Sequence, residues 1–184
     1  STFCLDALDA VDPYVKWHKV ASIESTWDEF VRAVGSKGTP MLVSTGTLNY
    51  EEVMSHIAVP LTVRYFLMQC TTDYPADLSA ADLRSMVSMA KVAHGVGLSD
   101  HTTHPTIAPC AAVVLGASVV EKHMRLDYVD ALLGIAGWTT KPEVVTPDTE
   151  HSINQWGFKA MVEAIRLTEK ALGSSEKRIR PSEV

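Results

Sequence analysis

The stretch that most constrains the fold is residues 95–124, in which a Thr/Pro-rich turn and an apolar, helix-like segment separate two short apolar runs. The order strand, helix, strand is a βαβ unit. Because such a unit buries both faces of a parallel sheet, its strands are apolar throughout instead of alternating with polar residues. The polar residues that close the two runs are Ser99, Asp100 and His101, then Glu121, Lys122 and His123. The stretch therefore predicts two parallel strands that both finish in histidines.

These two histidines lie where parallel α/β architectures hold ligands and catalytic groups, at the carboxyl ends of strands. Glu121 and His123 are two residues apart and face the same way, and His101 can converge on the same point. A pair of imidazoles with open coordination positions suits a divalent ion such as Mn, Fe, Co or Zn. The histidines lack the close spacing of a zinc finger, so ordinary polar strand ends are the alternative interpretation.

The rest of the chain repeats the alternation of strand and helix. The predicted strands are 14–22, 39–45 and 61–70. The predicted helices are 5–11, 27–34, one that begins after Asn49, 79–92 and 153–172. Ser25 and Thr26 are predicted to cap the helix at 27–34, and Asn49 is predicted to cap the helix that follows it. Successive β-then-α units fit either an open doubly wound sheet or a (β/α) barrel. No glycine-rich dinucleotide fingerprint or Walker loop follows a strand, which disfavours nucleotide binding. We predict an α/β fold of (β/α) TIM-barrel type, incomplete, with about five of the eight units of a full barrel, as a single domain over residues 1–184.

Composition excludes several classes of partner. The net charge of −6 gives no basic signature for nucleic acid. No apolar run approaches the length of a membrane span. The three cysteines, an odd number within apolar segments, favour reduced thiols over a disulfide framework. We therefore expect a cytoplasmic protein without nucleic-acid or membrane partners.

Five segments occur in the order and context of one known family. They are KVASIE at 19–24, STG at 44–46, CTTDYP at 70–75, GLSDHT at 97–102 and EKH at 121–123. They resemble the strand-end motifs of the sialic acid synthase family, which includes the N-acetylneuraminate, legionaminic acid and pseudaminic acid synthases. The similarity runs nearly end to end and is weakest at 125–151. It implies a metal-dependent (β/α) barrel that condenses phosphoenolpyruvate with the open-chain aldehyde of an N-acetylated amino sugar, giving a nine-carbon 2-keto acid and phosphate.

The resemblance also assigns roles to residues that match the motifs. It implies that His101 and His123 hold a divalent ion, which polarises the aldehyde as a Lewis acid. The ion is commonly manganese, with magnesium or cobalt as alternatives. The residues implied to hold phosphoenolpyruvate are Lys19, Ser22, Thr72 and Ser99. Glu121 would manage a proton or the attacking water, and Glu24 would lie near the sugar hydroxyls.

For Asp100, Ser44 and Thr45 a purely structural role is an alternative to a role in the site. Asp100 would belong to the substrate site by orienting its neighbours, or would be a helix cap. Ser44 and Thr45 could form only a strand-end turn. On this basis we expect substitution of His101 or His123 to abolish metal binding, and substitution of His56 or His151 to leave it unchanged.

The sequence departs from the family pattern at several positions. Ala21 and Ile23 replace glycines, Thr72 replaces Asn or Ser, and Thr47 replaces Met. The family's Gly-Pro-Asp loop is not recognisable in 126–149, which leaves the identity of the sugar open.

The family's first three barrel strands would precede Ser1, and its C-terminal antifreeze-like domain would follow Val184. We therefore expect the chain alone to be inactive and to need those strands or a second chain, as a homo-oligomer or with a partner that completes the barrel.

Two other functions remain open from the sequence. One is a divergent, non-catalytic relative that acts as an oligomeric scaffold, and metal affinity without turnover would favour it. The other is a different metal-dependent barrel aldolase. Dependence on phosphoenolpyruvate separates that aldolase from a sialic-type synthase.

Overall fold

The computed structural model describes residues 1–57, 63–125 and 147–183, and shows one parallel sheet covered by helices. Its strands are β1 (His18–Val20), β2 (Met41–Ser44), β3 (Tyr65–Cys70), β4 (Gly95–Asp100) and β5 (Ala117–Lys122). Each strand pairs in parallel with the next one along the chain, in the order β1-β2-β3-β4-β5. A doubly wound sheet reverses its strand order part of the way across. The successive order is that of a barrel wall, so the predicted α/β fold of (β/α)-barrel type is confirmed.

Helices alternate with these strands. They are α1 (Leu5–Val11), α2 (Asp28–Ser36), α3 (Tyr50–His56), α4 (Ser85–Met89), α5 (Ile107–Val114) and α6 (Gln155–Leu172). The predicted cap of α3 is confirmed, because the Glu52 N–H donates to Asn49 Oδ1 at 3.0 Å while the Asn49 N–H donates to Glu52 Oε2 at 2.7 Å. This reciprocal arrangement satisfies two backbone donors that the first turn of a helix leaves unpaired.

The hydrophobic core lies between the sheet and its helices. Strand residues such as Val20, Val43 and Leu67 pack there with Phe30 of α2 and Met86 of α4. Because side chains alternate along a strand, the residues between these core positions face the other side of the sheet. That second face, at the carboxyl ends of the strands, holds the polar residues of the predicted site.

Strand β1 is shorter than the predicted strand 14–22. A 3-10 turn at Asp12–Tyr14 precedes it and a second one at Glu24–Thr26 follows it. The predicted cap of α2 is wrong: the hydroxyls of Ser25 and Thr26 donate to backbone carbonyls three residues back, and Trp27 occupies the N-cap position. Hydroxyl side chains that bond their own local backbone compete with capping in this way.

The predicted helix 79–92 is also interrupted. A 3-10 turn at Leu78–Ala80 and the short helix α4 replace it. Asp82 between them has a φ of 42°, a left-handed conformation that no α-helix continues through. The predicted segments at 61–62 and 126–146 lie outside the described residues. Within the described ranges, no helix combines the length and the apolar character needed to cross a bilayer.

Candidate functional site

A cavity of about 460 Å³ opens at the carboxyl ends of the strands. Eight of the nine residues predicted for the site line it: Lys19, Ser22, Glu24, Thr72, Ser99, His101, Glu121 and His123. The ninth, Asp100, is not among the lining residues. The strand order brings together residues that are far apart in the sequence, because each strand ends at the same edge of the sheet.

Three of these residues form a connected group on β1, β4 and β5. The Ser99 hydroxyl donates to Glu121 Oε1 at 2.8 Å, and Lys19 Nζ lies 3.5 Å from the same oxygen. The register explains the first contact, since Ser99 and Glu121 are paired across β4 and β5. The group places an ammonium, a hydroxyl and a carboxylate together in the cavity wall.

Hydroxyls from Ser22, Ser44 and Thr72 line the same cavity, and we refer to these three residues as the hydroxyl cluster. Ser22 Oγ accepts a hydrogen bond from the Gly46 N–H at 3.1 Å and donates to Cys70 Sγ at 3.3 Å. Ser44 Oγ and Thr72 Oγ1 are buried and have no hydrogen-bond partner among the described residues. Buried hydroxyls are normally paired, so these two have spare hydrogen-bonding capacity that a polar ligand can use.

Asp100 faces away from this group. Its Oδ2 lies 2.8 Å from Lys122 Nζ, and its Oδ1 accepts the Thr102 N–H at 2.9 Å. The two charged side chains are 1% and 0% exposed. Lys122 also donates to the Thr102 carbonyl. This buried pair joins the ends of β4 and β5 between the residues that carry the site.

His101 is held in a defined orientation. Its Nδ1 lies 2.7 Å from the Thr71 carbonyl oxygen, so Nδ1–H donates there and Nε2 keeps its lone pair. The ring stacks on Tyr74 with centroids 4.2 Å apart. Burial lowers the pKa of His101, the charges of His123 and His151 lower it further, and the Thr71 hydrogen bond and Asp100 oppose this. The neutral imidazole, which is the form that binds metals, is therefore favoured.

His123 lies beside two residues that the sequence did not predict for the site. Ligand atoms of His123, Asp148 and His151 all lie within 4.8 Å of one another, so this group could hold a metal ion. Burial lowers the pKa of His123 and so does His151, whereas Asp148 and Glu121 raise it. The ring centroids of His101 and His123 are 5.2 Å apart, which brings the two predicted metal ligands together.

A backbone bridge brings the two additional residues to the site. Met124 and Ile153 pair in parallel, with the Ile153 N–H donating to the His123 carbonyl at 3.0 Å. His151 therefore lies near His123, so it is not a control remote from the site, and the expected effect of its substitution on metal binding stays a prediction. The side chain of His56, the other predicted control, lies outside the described part of the chain.

Sequence reasoning also left other cavity residues without a role. Ser44, Cys70 and Tyr74 line the cavity, and each lies within a motif that the sequence analysis quoted. Asp148 and His151 lie in the stretch where the resemblance is weakest. Pro147 and Asp148 keep the last two residues of the family's Gly-Pro-Asp loop, which is the signal that could have indicated Asp148, whereas His151 lies in no quoted motif. Their position depends on pairing with a distant segment, which a local pattern does not report.

Residues 1–177 match the NeuB family. The chain is 33% identical over 187 residues to the pseudaminic acid synthase of Helicobacter pylori, which covers 98% of this chain and 50% of that protein. It is 32% identical over 180 residues to the N,N'-diacetyllegionaminic acid synthase of Legionella pneumophila, covering 92% of this chain and 46% of that protein. The chain thus spans about half the length of the curated relatives it matches.

The fold is similar to that of a solved enzyme structure. The N-acetylneuraminic acid (sialic acid) synthetase from Leptospira borgpetersenii superimposes with a TM-score of 0.80 at 23% identity, covering 98% of this chain and 60% of that chain. At this identity the likeness concerns the fold alone. It agrees with the successive parallel order of the five strands.

Proposed function

Because this chain belongs to the NeuB family, we propose that it forms part of a synthase that condenses phosphoenolpyruvate with the open-chain aldehyde of an N-acetylated amino sugar. The products are a nine-carbon 2-keto acid and phosphate. The names of the relatives, which are synthases of pseudaminic and legionaminic acid, support this class of reaction. The free thiols of Cys4, Cys70 and Cys110 support a cytoplasmic setting.

The observation that carries the proposal is the pair of unsatisfied hydroxyls in a cavity that also holds a lysine. Ser44 Oγ and Thr72 Oγ1 are buried without partners among the described residues, and Lys19 lines the same cavity. An ammonium and hydroxyl donors suit the oxygens of a phosphate or a carboxylate. Phosphoenolpyruvate carries both groups, and its binding would satisfy these hydroxyls.

The remaining residues then take roles that follow from their contacts. We assign Lys19, Ser22, Thr72 and Ser99 to phosphoenolpyruvate, and add Ser44 because its unpaired hydroxyl lies in the same cavity. In the structure, the Ser22 and Ser99 hydroxyls donate to Cys70 and Glu121, so each has to rotate before it can donate to the ligand.

The two carboxylates have separate tasks. Glu121 accepts from Ser99 next to the lysine, where it can take a proton or orient water. Glu24 lies in the cavity wall and would bind sugar hydroxyls. Asp100 would position the site through Lys122 without contacting substrate.

His101 and His123 fit a divalent ion, with manganese as the expected metal. The Thr71 carbonyl fixes the tautomer of His101 so that Nε2 is available as a ligand, an arrangement common in metal-binding histidines. When bound, the ion would supply Lewis acidity toward the aldehyde oxygen.

Calorimetric titration of the purified chain with phosphoenolpyruvate tests the proposal. We expect binding by the wild-type chain, and about tenfold weaker binding after Thr72→Val or Ser44→Ala, because one hydrogen bond to a charged ligand contributes about 1.5 kcal/mol. Ser36→Ala, which removes an exposed hydroxyl of α2 outside the cavity, serves as the matched control and should bind like wild type. A folded chain that does not bind phosphoenolpyruvate, or unchanged binding in both cavity variants, would contradict the proposal.

A further inference from the structure

Ser22 is held at both ends by the loop that follows β2. The Gly46 N–H donates to Ser22 Oγ at 3.1 Å, and the Thr47 hydroxyl donates to the Ser22 carbonyl oxygen at 2.5 Å. The Ser25 hydroxyl donates to the same carbonyl at 2.7 Å. Because a carbonyl oxygen has two lone pairs, these two hydroxyls use its whole capacity to accept hydrogen bonds. The side chain and the backbone of Ser22 therefore both have fixed partners.

The residues that follow β1 form one hydrogen-bonded turn, 21–26. The Ser25 N–H donates to the Ala21 carbonyl at 3.0 Å, and the Thr26 N–H donates to the Ile23 carbonyl at 3.2 Å. Four of the six residues in this turn line the cavity. A hydrogen bond from the neighbouring loop to the middle of the turn thus holds a large part of the cavity wall.

Two departures from the family pattern meet at this turn. Thr47 stands where the pattern has methionine, which has no hydrogen to donate, and Ile23 stands where the pattern has glycine. Glycine gives a chain its greatest backbone freedom. Ile23 adopts an ordinary helical conformation, with a φ of −70° and a ψ of −45°. Both departures therefore reduce the freedom of the turn that carries Ser22.

The position of Ser22 matters because its hydroxyl proton has only a weak acceptor. The Gly46 N–H occupies one lone pair of Oγ, and the O–H donates to Cys70 Sγ at 3.3 Å. Sulfur accepts hydrogen bonds weakly, whereas a phosphate or carboxylate oxygen accepts a shorter and stronger one. An anion in the cavity would therefore displace the sulfur, provided that the backbone of Ser22 stays in place.

We propose that Thr47 is a positioning residue for phosphoenolpyruvate, because its hydroxyl holds the backbone of Ser22 and so keeps the Ser22 hydroxyl within reach of the ligand. The inference rests on the proposed function for the identity of that ligand. Thr47 is exposed and is not among the described residues that line the cavity. Its substitution therefore tests positioning without removing a ligand-binding group or disturbing the core.

Calorimetric titration of the 184-residue chain with phosphoenolpyruvate tests this role. We expect Thr47→Val to bind about fivefold more weakly, because one hydrogen bond is lost, and Thr47→Ser, which keeps the hydroxyl, to bind like wild type. In a Ser22→Ala background, Thr47→Val should have no further effect, since Thr47 acts through Ser22. Thr168→Val, which removes a hydroxyl-to-carbonyl hydrogen bond of α6, is the matched control and should bind like wild type.

Hydrogen–deuterium exchange of the turn 21–26 judges the inference without a ligand. Thr47→Val should speed the exchange of the Ser25 and Thr26 N–H groups by about fivefold, since the turn opens more easily without this hydrogen bond. Thr168→Val should leave these rates unchanged.

Four results would overturn the inference. They are wild-type affinity in Thr47→Val, an equal loss of affinity in Thr47→Ser, the same fivefold loss in the Ser22→Ala background, and unchanged exchange of the turn in Thr47→Val. If a folded wild-type chain does not bind phosphoenolpyruvate, the proposed function fails, and the exchange rates still support or overturn the hold of Thr47 on the turn.

Discussion

At the scale of single residues, the hydroxyl cluster depends on the absence of a side chain at position 46. A Cβ at Gly46 would lie 2.3 Å from Thr72 Oγ1, 3.0 Å from Ser22 Oγ and 3.1 Å from the Cys70 carbonyl oxygen. The first distance is well below any normal contact. Gly46 therefore lets two strand ends approach each other closely enough for their hydroxyls to share one cavity wall.

We predict that Gly46→Ala lowers the free energy of unfolding by about 1–3 kcal/mol, the usual cost of inserting a methyl group into a packed site. Urea denaturation followed by circular dichroism measures this change. The double variant Gly46→Ala/Thr72→Ala should recover part of the loss, because it removes the closest atom. A Gly46→Ala variant as stable as wild type would contradict the close approach of position 46 to Thr72 Oγ1.

The sequence predicts single residues well where a motif carries them. Ser99 and Glu121 stand at the ends of apolar runs and Lys19 lies in a predicted strand, and the structure places the three together. It does not predict Asp148 and His151, because a bridge between Met124 and Ile153 determines their position. Pairing between distant segments depends on the whole fold, so a local pattern of residues cannot report it.

At the scale of elements, the ends of β4 and β5 are joined by a charged pair in the protein interior. Asp100 and Lys122 are directly opposite each other in the register, and each is the chain neighbour of a histidine in the site. A buried ion pair contributes little net stability over an apolar pair, but breaking it leaves an uncompensated charge. We therefore expect the pair to act mainly by holding the ends of β4 and β5 beside each other.

We predict that Lys122→Met lowers the free energy of unfolding by about 3–5 kcal/mol, because it leaves the Asp100 carboxylate buried without its partner. The double variant Asp100→Asn/Lys122→Met should be more stable than Lys122→Met alone, since no buried charge remains. Urea denaturation of wild type, Asp100→Asn, Lys122→Met and the double variant gives the coupling free energy between the two side chains. A double variant as unstable as the sum of both single changes would rule out an interaction between the two side chains.

The helices and strands could be predicted from the sequence where apolar runs and capping residues determine where they begin and end. The capping box of Asn49 and Glu52 and the ends of β4 and β5 follow from local residues. The predicted helix 79–92 fails because Asp82 adopts a left-handed conformation. A residue other than glycine rarely adopts a positive φ, and nothing in the sequence around Asp82 predicts one.

At the scale of the whole molecule, the five described strands form part of a barrel wall. A complete wall takes about eight strands. Strand β3, with a neighbour on each side, is buried along its whole length, whereas no residue of β5 is fully buried. Glu121 on β5 keeps 42% of its side chain exposed, whereas the proposed condensation would need a site that excludes water. The site is therefore assembled but not enclosed by the strands described.

We predict that the chain alone binds phosphoenolpyruvate without turning it over. Phosphate release in the presence of Mn²⁺ and each of a panel of N-acetylated amino sugars measures this, over a range of protein concentrations. A rate that rises more steeply than in proportion to protein concentration would show that a second copy completes the site. Release strictly proportional to concentration, from dilute protein upward, would contradict the prediction.

The successive order of the strands has a further consequence for recombination between related proteins. Among the described strands, each one pairs only with its immediate neighbours in the chain, so a cut between any two units separates the described sheet into two contiguous pieces. Such a cut breaks one of the described strand interfaces, and in a closed barrel a second interface lies at the other junction of the two pieces. A gene that encodes several of these units can therefore be joined to one that encodes the others, and the hybrid barrel has to form new strand contacts only at the two junctions between the pieces.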